Sequence, residues 1–240
     1  MLSNIRIVLV ETTHPGNIGA VARAMKTMGM GSLYLVKPKI FPSAESTARA
    51  SGADDILEQA RVCGDLVQAL EGCRLVVGTS ARRRTVEWPE LAPRQSAQRM
   101  LAEAARGPVA LVFGRESSGL SNAELERCHF LAHIPTNPDF SSLNIASAVQ
   151  LFAYELYQPS VAGAPAEAVE ERDVAGAEAL EGLHQHMTRT LVEIGFADPQ
   201  QSKKLMRRLR RLFNRARPDR DELNILRGIL STAQNLARRR

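Results

Sequence analysis

Residues 109–121 read VALVFGRESSGLS. Five consecutive apolar residues end at a glycine, and the polar turn after it runs into a helical pattern at 121–126. So short and unbroken an apolar run suits a parallel strand covered on both faces. Similar runs lie on either side: IRIVLV (5–10), LYLV (33–36), LVVGT (75–79) and FLAHI (130–134). Helical patterns at 17–29, 65–71 and 96–106 separate them. A longer one at 143–157 repeats Leu143, Ala146, Val149, Gln150, Ala153 and Leu156 at steps of three and four. This alternation predicts an α/β fold with a mostly parallel sheet over residues 1–158.

Downstream the composition changes. PSVAGAPAEAVEERD (159–173) reads as a linker. Residues 174–240 then form a small basic helical module. Its amphipathic segments are LHQHMTRTLVEIGF (183–196), QQSKKLMRRLRRLFNRA (200–216) and DELNILRGILSTAQNLARRR (221–240), parted by Pro199 and Pro218. Leu183, Met187, Leu191 and Ile194 form one apolar stripe, and Leu205, Leu209, Leu212 and Phe213 another. Residues 182–240 hold 14 Lys+Arg against 5 Asp+Glu, a local net charge of +9, while the rest of the chain nets −4. A basic module behind a mildly acidic body suits a polyanionic partner held by the tail, with Lys203, Lys204, Arg207 and Arg208 as candidate contacts.

Several classes drop out. With 44% hydrophobic and 24% charged residues, a core can form, so disorder is not expected. Three cysteines, Cys63, Cys73 and Cys128, include no CxxC pair and give neither a disulfide framework nor a zinc site. The short apolar run at the start contains Arg6 and reads as a strand rather than a signal peptide. No stretch approaches the roughly 18 apolar residues of a membrane span, so a soluble cytoplasmic protein is expected. For a metal hydrolase the best candidates are His129 with His133 and His184 with His186. Neither pair has a third ligand at suitable spacing, and no metal is expected.

Four segments could carry chemistry. GRESSGLS (114–121) approximates a phosphate-binding G-x-x-x-x-G-K-[ST] loop, but Leu120 stands where the lysine belongs, which argues against a nucleotide triphosphatase. It is not a G-x-S-x-G nucleophile elbow either, since Arg115 and Glu116 follow Gly114. NIGAVAR (17–23) follows the first strand. In it Asn17 could cap a helix, Gly19 and Ala20 permit close backbone approach, and Arg23 could grip a phosphate. IPTNPDFSSLNIASAVQ (134–150) gathers Ser141, Ser142 and Asn144 at a helix entrance, with Ser142 the candidate cap. GTSARRR (78–84) follows a strand and ends in Arg82, Arg83 and Arg84, candidate polyanion contacts.

NIGAVAR, LVFGRESSGLS and IPTNPDFSSLNIASAVQ resemble, in order and spacing, the three motifs of the SPOUT methyltransferases, over roughly residues 1–157. With GTSARRR and the helical extension, the chain is similar within that family to the bacterial tRNA 2′-O-methyltransferases acting at nucleotide 32. The resemblance implies a C-terminal trefoil knot and S-adenosylmethionine bound against Thr79, Ser80, Ala81, Gly114, Glu116, Ile134, Ser141, Ser142, Leu143 and Asn144. It also implies a homodimer, with helix 143–157 in the interface, and tRNA as substrate. It puts Arg23 at the reacting hydroxyl. Guanidinium is a poor base, so Arg23 is expected to fix the adjacent phosphate and polarise the 2′-OH, with Ser142 or a phosphate oxygen helping to carry the proton. Asn17, Glu116 and Asn144 would orient the loop and Arg23. The alternatives are an rRNA ribose methyltransferase and a non-catalytic RNA-binding knot protein.

Overall fold

The computed structural model describes residues 1–81, 89–162, 174–198 and 202–239, and side chains in the second of these ranges up to 159. Two compact units result, Met1–Val169 and Glu170–Arg240.

The first unit is built on seven strands: β1 (Ile5–Val10), β2 (Ser32–Val36), β3 (Arg61–Cys63), β4 (Leu75–Thr79), β5 (Glu90–Leu91), β6 (Val109–Phe113) and β7 (Phe130–Ala132). They lie in the order β3-β2-β1-β6-β4-β7-β5, and every pairing is parallel. The helices are α1 (Pro15–Thr27), α2 (Ala44–Ala50), α3 (Asp54–Glu58), α4 (Leu66–Leu70), α5 (Pro93–Ala104), α6 (Asn122–Leu125) and α7 (Ile145–Ala162). Ile5, Ile7, Leu9, Leu75, Val77, Leu111 and Phe113 join one core cluster with Ile18 and Met25 of α1, Met100 of α5, and Val149, Phe152 and Leu156 of α7. The residues between them, such as Val8, Val76, Ala110 and Val112, are equally buried on the other face. Burial on both faces explains why the central strands, Arg6 of β1 apart, are near-continuous apolar runs rather than alternating ones.

Four elements were not foreseen: α2, α3, β3 and β5. The strands among them are two or three residues long, and both Arg61 and Val62 are exposed, so no apolar run marks them. The predicted start of α1 is also corrected. Pro15, with its φ already suited to a helix, takes the first turn; His14 is the capping residue and Asn17 lies inside. Nor does α7 stop before Pro159. It continues to Ala162, although proline removes one helical hydrogen bond. The room left by Gly19 is filled by α2: a Cβ there would stand 2.0 Å from the Ser46 carbonyl oxygen.

The second unit contains α8 (Ala177–Glu193), α9 (Lys203–Ala216) and α10 (Arg220–Arg238). Its core is small: Ala175, Leu180, Leu183 and Leu223, flanked by Phe213, Leu226 and Leu230. Ile194 was expected in the apolar stripe of α8, but the helix ends before it and it is exposed. Leu212 of the next stripe is 45% exposed. His184 is buried and its Nε2 lies 3.1 Å from Asn214 Oδ1. Burial, reinforced by the charge of Arg210, pushes its pKa down to about 4 against the opposing Asn214 contact. Arg210 is held by Glu181 at 2.6 Å. Asp219 caps α10, accepting from the Glu222 N–H at 2.8 Å.

Candidate functional site

The C-terminal ends of β4, β6 and β7 are adjacent in the sheet, and the loops that follow them enclose a cavity of about 200 Å³. That is many times the space of one ordered water. Ligands of open parallel sheets sit outside the carboxyl ends of the strands. The first loop brings Thr79, Ser80 and Ala81, the second Gly114 to Gly119, and the third Ile134, Thr136 and Ser141 to Leu143. Phe113, Ala132, Ile145, Ala148 and Phe152 supply an apolar wall.

Each loop is pinned by its own hydrogen bonds. The Ser80 N–H donates to Ala132 O at 3.0 Å, and His133 Nδ1 lies 3.0 Å from Ser80 O. Thr79 Oγ1 donates to Val112 O at 3.0 Å. The second loop turns back on itself, with Arg115 and Gly119 exchanging backbone N–H···O bonds of 3.2 and 2.8 Å. Only glycine fits at 114, because a Cβ would lie 2.1 Å from the Gly119 carbonyl carbon. In the third loop, Thr136 Oγ1 donates to Ser141 O at 3.1 Å. The cap of α7 is Asn144 rather than Ser142: its Oδ1 accepts from the Ala146 N–H at 2.9 Å. An Asx side chain bonds locally to a backbone N–H two residues on, which leaves Ser142 exposed beside the cavity.

A polar chain ties these loops to α1. Asn144 Nδ2 donates to Asn17 Oδ1 at 3.0 Å, and Asn17 Nδ2 donates to Glu116 Oε1 at 3.0 Å. The Glu116 carboxylate also accepts from the Thr13 N–H at 3.1 and 3.2 Å. Burial raises the pKa of Glu116, but the Asn17 amide and the surrounding backbone N–H groups outweigh it and hold the carboxyl below its ordinary value. Glu116 is therefore a charged acceptor that fixes the loops and not a poised proton carrier. Arg23 does not line the cavity. It is exposed in a separate shallow depression with Ala20, Ala24, Thr27, Ala146, Ser147, Gln150 and Leu151, between α1 and α7.

Comparison with known proteins fits this geometry. The model of the SpoU rRNA Methylase family matches residues 4–154. The chain belongs to that family. A second model, for the C-terminal domain of the tRNA methyltransferase TrmJ, matches residues 178–240 of this SpoU-family chain. The tRNA (cytidine/uridine-2′-O-)-methyltransferase TrmJ of Pectobacterium atrosepticum is 53% identical over 98% of both chains. The tRNA (cytidine/uridine/adenosine-2′-O-)-methyltransferase TrmJ of Pseudomonas aeruginosa is 50% identical over 99% of this chain and 96% of its own. The crystal structure of TrmJ from Z. mobilis ZM4 superposes with a TM-score of 0.81, at 34% identity over 95% of this chain and 97% of that one.

In this SpoU-family site, the residues that the sequence did not single out fall into two groups. Phe113, Ile145, Ala148 and Phe152 are apolar members of core elements, and nothing in their pattern separates a cavity wall from a core. Glu11, Arg115 and Glu124 form an ion triad across the second loop, with Arg115 Nη2 2.7 Å from Glu11 Oε1 and Nη1 2.9 Å from Glu124 Oε2. Their spacing along the chain carries no motif.

Arg82, Arg83 and Arg84 lie outside the described residues. Lys203, Lys204 and Arg208 are exposed on α9, with Arg207 half-buried beside them. His129 is buried and its Nδ1 accepts the Val76 N–H at 2.9 Å; His186 contacts Gln234 at 3.1 Å. Among the described residues, no group of three or more His, Cys, Asp or Glu side chains is placed to hold a metal, and no helix is long and apolar enough to cross a membrane.

Proposed function

We propose that the chain transfers a methyl group from S-adenosylmethionine to the ribose 2′-hydroxyl of nucleotide 32 of tRNA, in the cytoplasm and as a homodimer. The observation that carries this reading is the convergence of three loops on one cavity, joined by Asn144, Asn17 and Glu116 to the helix that bears Arg23. The TrmJ relatives support the ribose of tRNA over rRNA, because the similarity extends through the helical module.

The cavity suits the cofactor in its chemistry. Its apolar wall of Phe113, Ile134, Leu143 and Phe152 would hold a flat base, and the hydroxyls and backbone of Thr79, Ser80, Ala81, Gly114, Ser141 and Ser142 would meet the polar parts. When bound, S-adenosylmethionine supplies a methyl carbon on positively charged sulfur, a good leaving group. Glu116 and Asn144 set the loops and Asn17 sets α1, so that the nucleophile can be aligned at about 3–3.5 Å. Arg23 fixes the adjacent phosphate and polarises the hydroxyl, and Ser142 or a phosphate oxygen carries the proton. The C-terminal segment of the α/β unit would thread a trefoil knot, in keeping with the SpoU family.

In the homodimer, the face between α1 and α7, where Arg23 lies and where Leu151 and Tyr154 are 43% and 47% exposed, would meet its counterpart. The unit 1–158 would carry the chemistry, 159–173 would link it, and 174–240 would bind tRNA through Lys203, Lys204, Arg207 and Arg208, with Arg82, Arg83 and Arg84 as further RNA contacts.

The test is methyl transfer from labelled S-adenosylmethionine to unmodified tRNA, with nuclease mapping of the product. A 2′-O-methyl at nucleotide 32 is expected. Label at another nucleotide overturns the target, and no label on tRNA despite cofactor binding overturns the substrate.

A further inference from the structure

We propose that Arg115 is a positioning residue for the cofactor cavity and sets cofactor affinity through Glu11 and Glu124. This rests on the cavity being the cofactor site. Arg115 follows β6 directly, and its guanidinium is shared between two carboxylates. Nε and Nη2 donate to Glu11 at 3.0 and 2.7 Å, and Nη1 and Nη2 donate to Glu124 at 2.9 and 3.0 Å. Nη1 also lies 3.4 Å from Gly119 O, at the far end of the turn that lines the cavity. Glu124 is anchored in turn by the Ser121 N–H at 2.7 Å. One side chain thus joins both ends of the turn to the end of β1.

The next residue works on the same segment. Glu116 holds Thr13 and Asn17 while Arg115 holds Glu11, so consecutive residues grip segment 11–17 at separate points. Glu11 sits at φ +50, a left-handed conformation that ordinary side chains avoid. Such a residue persists where its surroundings over-determine it, and they cluster at ligand clamps. The Arg115 hydrogen bond lowers the pKa of Glu11. At Glu124 burial acts upward, and the contacts with Arg115 and Ser121 overcome it. Both carboxylates are therefore charged at neutral pH and available to the guanidinium.

Lysine at 115 would keep the charge but not the fork, because a single ammonium cannot reproduce two bidentate contacts. The experiment compares wild type, Arg115→Lys, Glu11→Gln and the double variant in the full chain. It reads S-adenosylmethionine Kd by calorimetry, tRNA Kd at fixed salt, KM and kcat, thermal midpoint, and amide exchange over 115–121. Arg115→Lys is expected to weaken cofactor binding roughly 10- to 100-fold, the range for removing a charge-assisted hydrogen bond. It should raise KM for the cofactor more than it lowers kcat, speed exchange in the turn, and leave tRNA Kd within about twofold. The double variant should be no weaker than Arg115→Lys, because the two changes break the same interaction.

Unchanged cofactor Kd and unchanged exchange in Arg115→Lys would overturn the proposal. So would a parallel loss of cofactor and tRNA binding with a lowered midpoint, the mark of a merely structural residue. Wild type that binds no S-adenosylmethionine would instead overturn the reading of the cavity.

Discussion

In the α/β unit the charged side chains at the cavity are held by partners, Arg115 on Glu11 and Glu124, and Glu116 on Thr13 and Asn17. In the helical unit Lys203, Lys204, Arg208 and Arg215 stand exposed along α9, while Arg210 is held by Glu181. The first arrangement fixes a few atoms in a stable frame, and the second offers a diffuse positive field. Their cores differ in the same sense. A seven-stranded sheet whose central strands are buried on both faces supports the one, and a cluster of four buried residues with a few half-buried neighbours is the centre of the other. On the proposed function, the first unit would contribute geometry and the second attraction.

That contrast can be broken at several points. The largest effect is expected from Arg23→Ala, which should lower turnover on the order of 10²–10³-fold, the range for losing one charge-stabilising donor. Cofactor affinity should stay within about twofold, since Arg23 is outside the cavity; a calorimetric Kd alongside kcat decides it.

Acid should separate the units next. His184 has a pKa of about 4 in the folded chain and about 6.5 when unfolded. Between those values the unfolded state binds more protons, so stability conferred by the neutral ring is full above pH 6.5. It is lost progressively as pH falls toward 4, by about 3 kcal/mol. Glu11, Glu116 and Glu124 also have lowered values, but their contribution is present above the ordinary carboxylate range and fades only below it. Amide exchange followed from pH 7 to 4.5 should show the helical unit opening before the α/β unit. Simultaneous loss would contradict the assignment.

Gly19→Ala should cost about 1–3 kcal/mol, because its methyl group would collide with the Ser46 carbonyl oxygen where α1 meets α2. Chemical denaturation of the α/β transition measures it. Replacing Lys203, Lys204, Arg207 and Arg208 together by Gln should weaken tRNA binding about tenfold. It should also flatten the slope of log affinity against log salt by about 0.7 for each phosphate no longer neutralised. An unchanged slope would remove α9 from the RNA interface. The smallest effect is a gain. Gly228 lies in the middle of α10, with nothing within 4 Å of the place an alanine methyl group would take. Gly228→Ala should therefore stabilise the helical unit by about 0.5–1 kcal/mol, read as a raised denaturation midpoint. The same chemical change thus has opposite signs in the two units.

What could be read from the residues follows the same division. VALVF announces a central strand because burial on both faces leaves no polar position in it, and IRIVLV breaks its apolar run only at the half-buried Arg6. RVC at 61–63 and EL at 90–91 are pairings made at the sheet's margins, too short for any period to register. Two of the cavity's three loops are marked by the ordered motifs LVFGRESSGLS and IPTNPDFSSLNIASAVQ and the third by GTSARRR, none of them by periodicity. The triad of Glu11, Arg115 and Glu124 could not be read at all, since residues 104 positions apart meet only when β1 and β6 pair. Helix caps are similarly local contests: Asn144 and Ser142 are both good capping types, and it is the path of the loop that decides for Asn144.

The sheet order has a consequence for how the chain is made. β6 lies between β1 and β4 although it is synthesised after both, and β1 and β4 do not pair with each other. A nascent chain that has emerged only as far as β5 therefore carries open strand edges instead of a smaller finished sheet. Such edges invite pairing with other chains and are what a chaperone at the ribosome exit must shield. The cavity waits longer still, since its wall includes Phe152. Methylating capacity would arise only after β6 and α7 are made, and a chain cut short before β6 would be an aggregation-prone fragment with no partial activity.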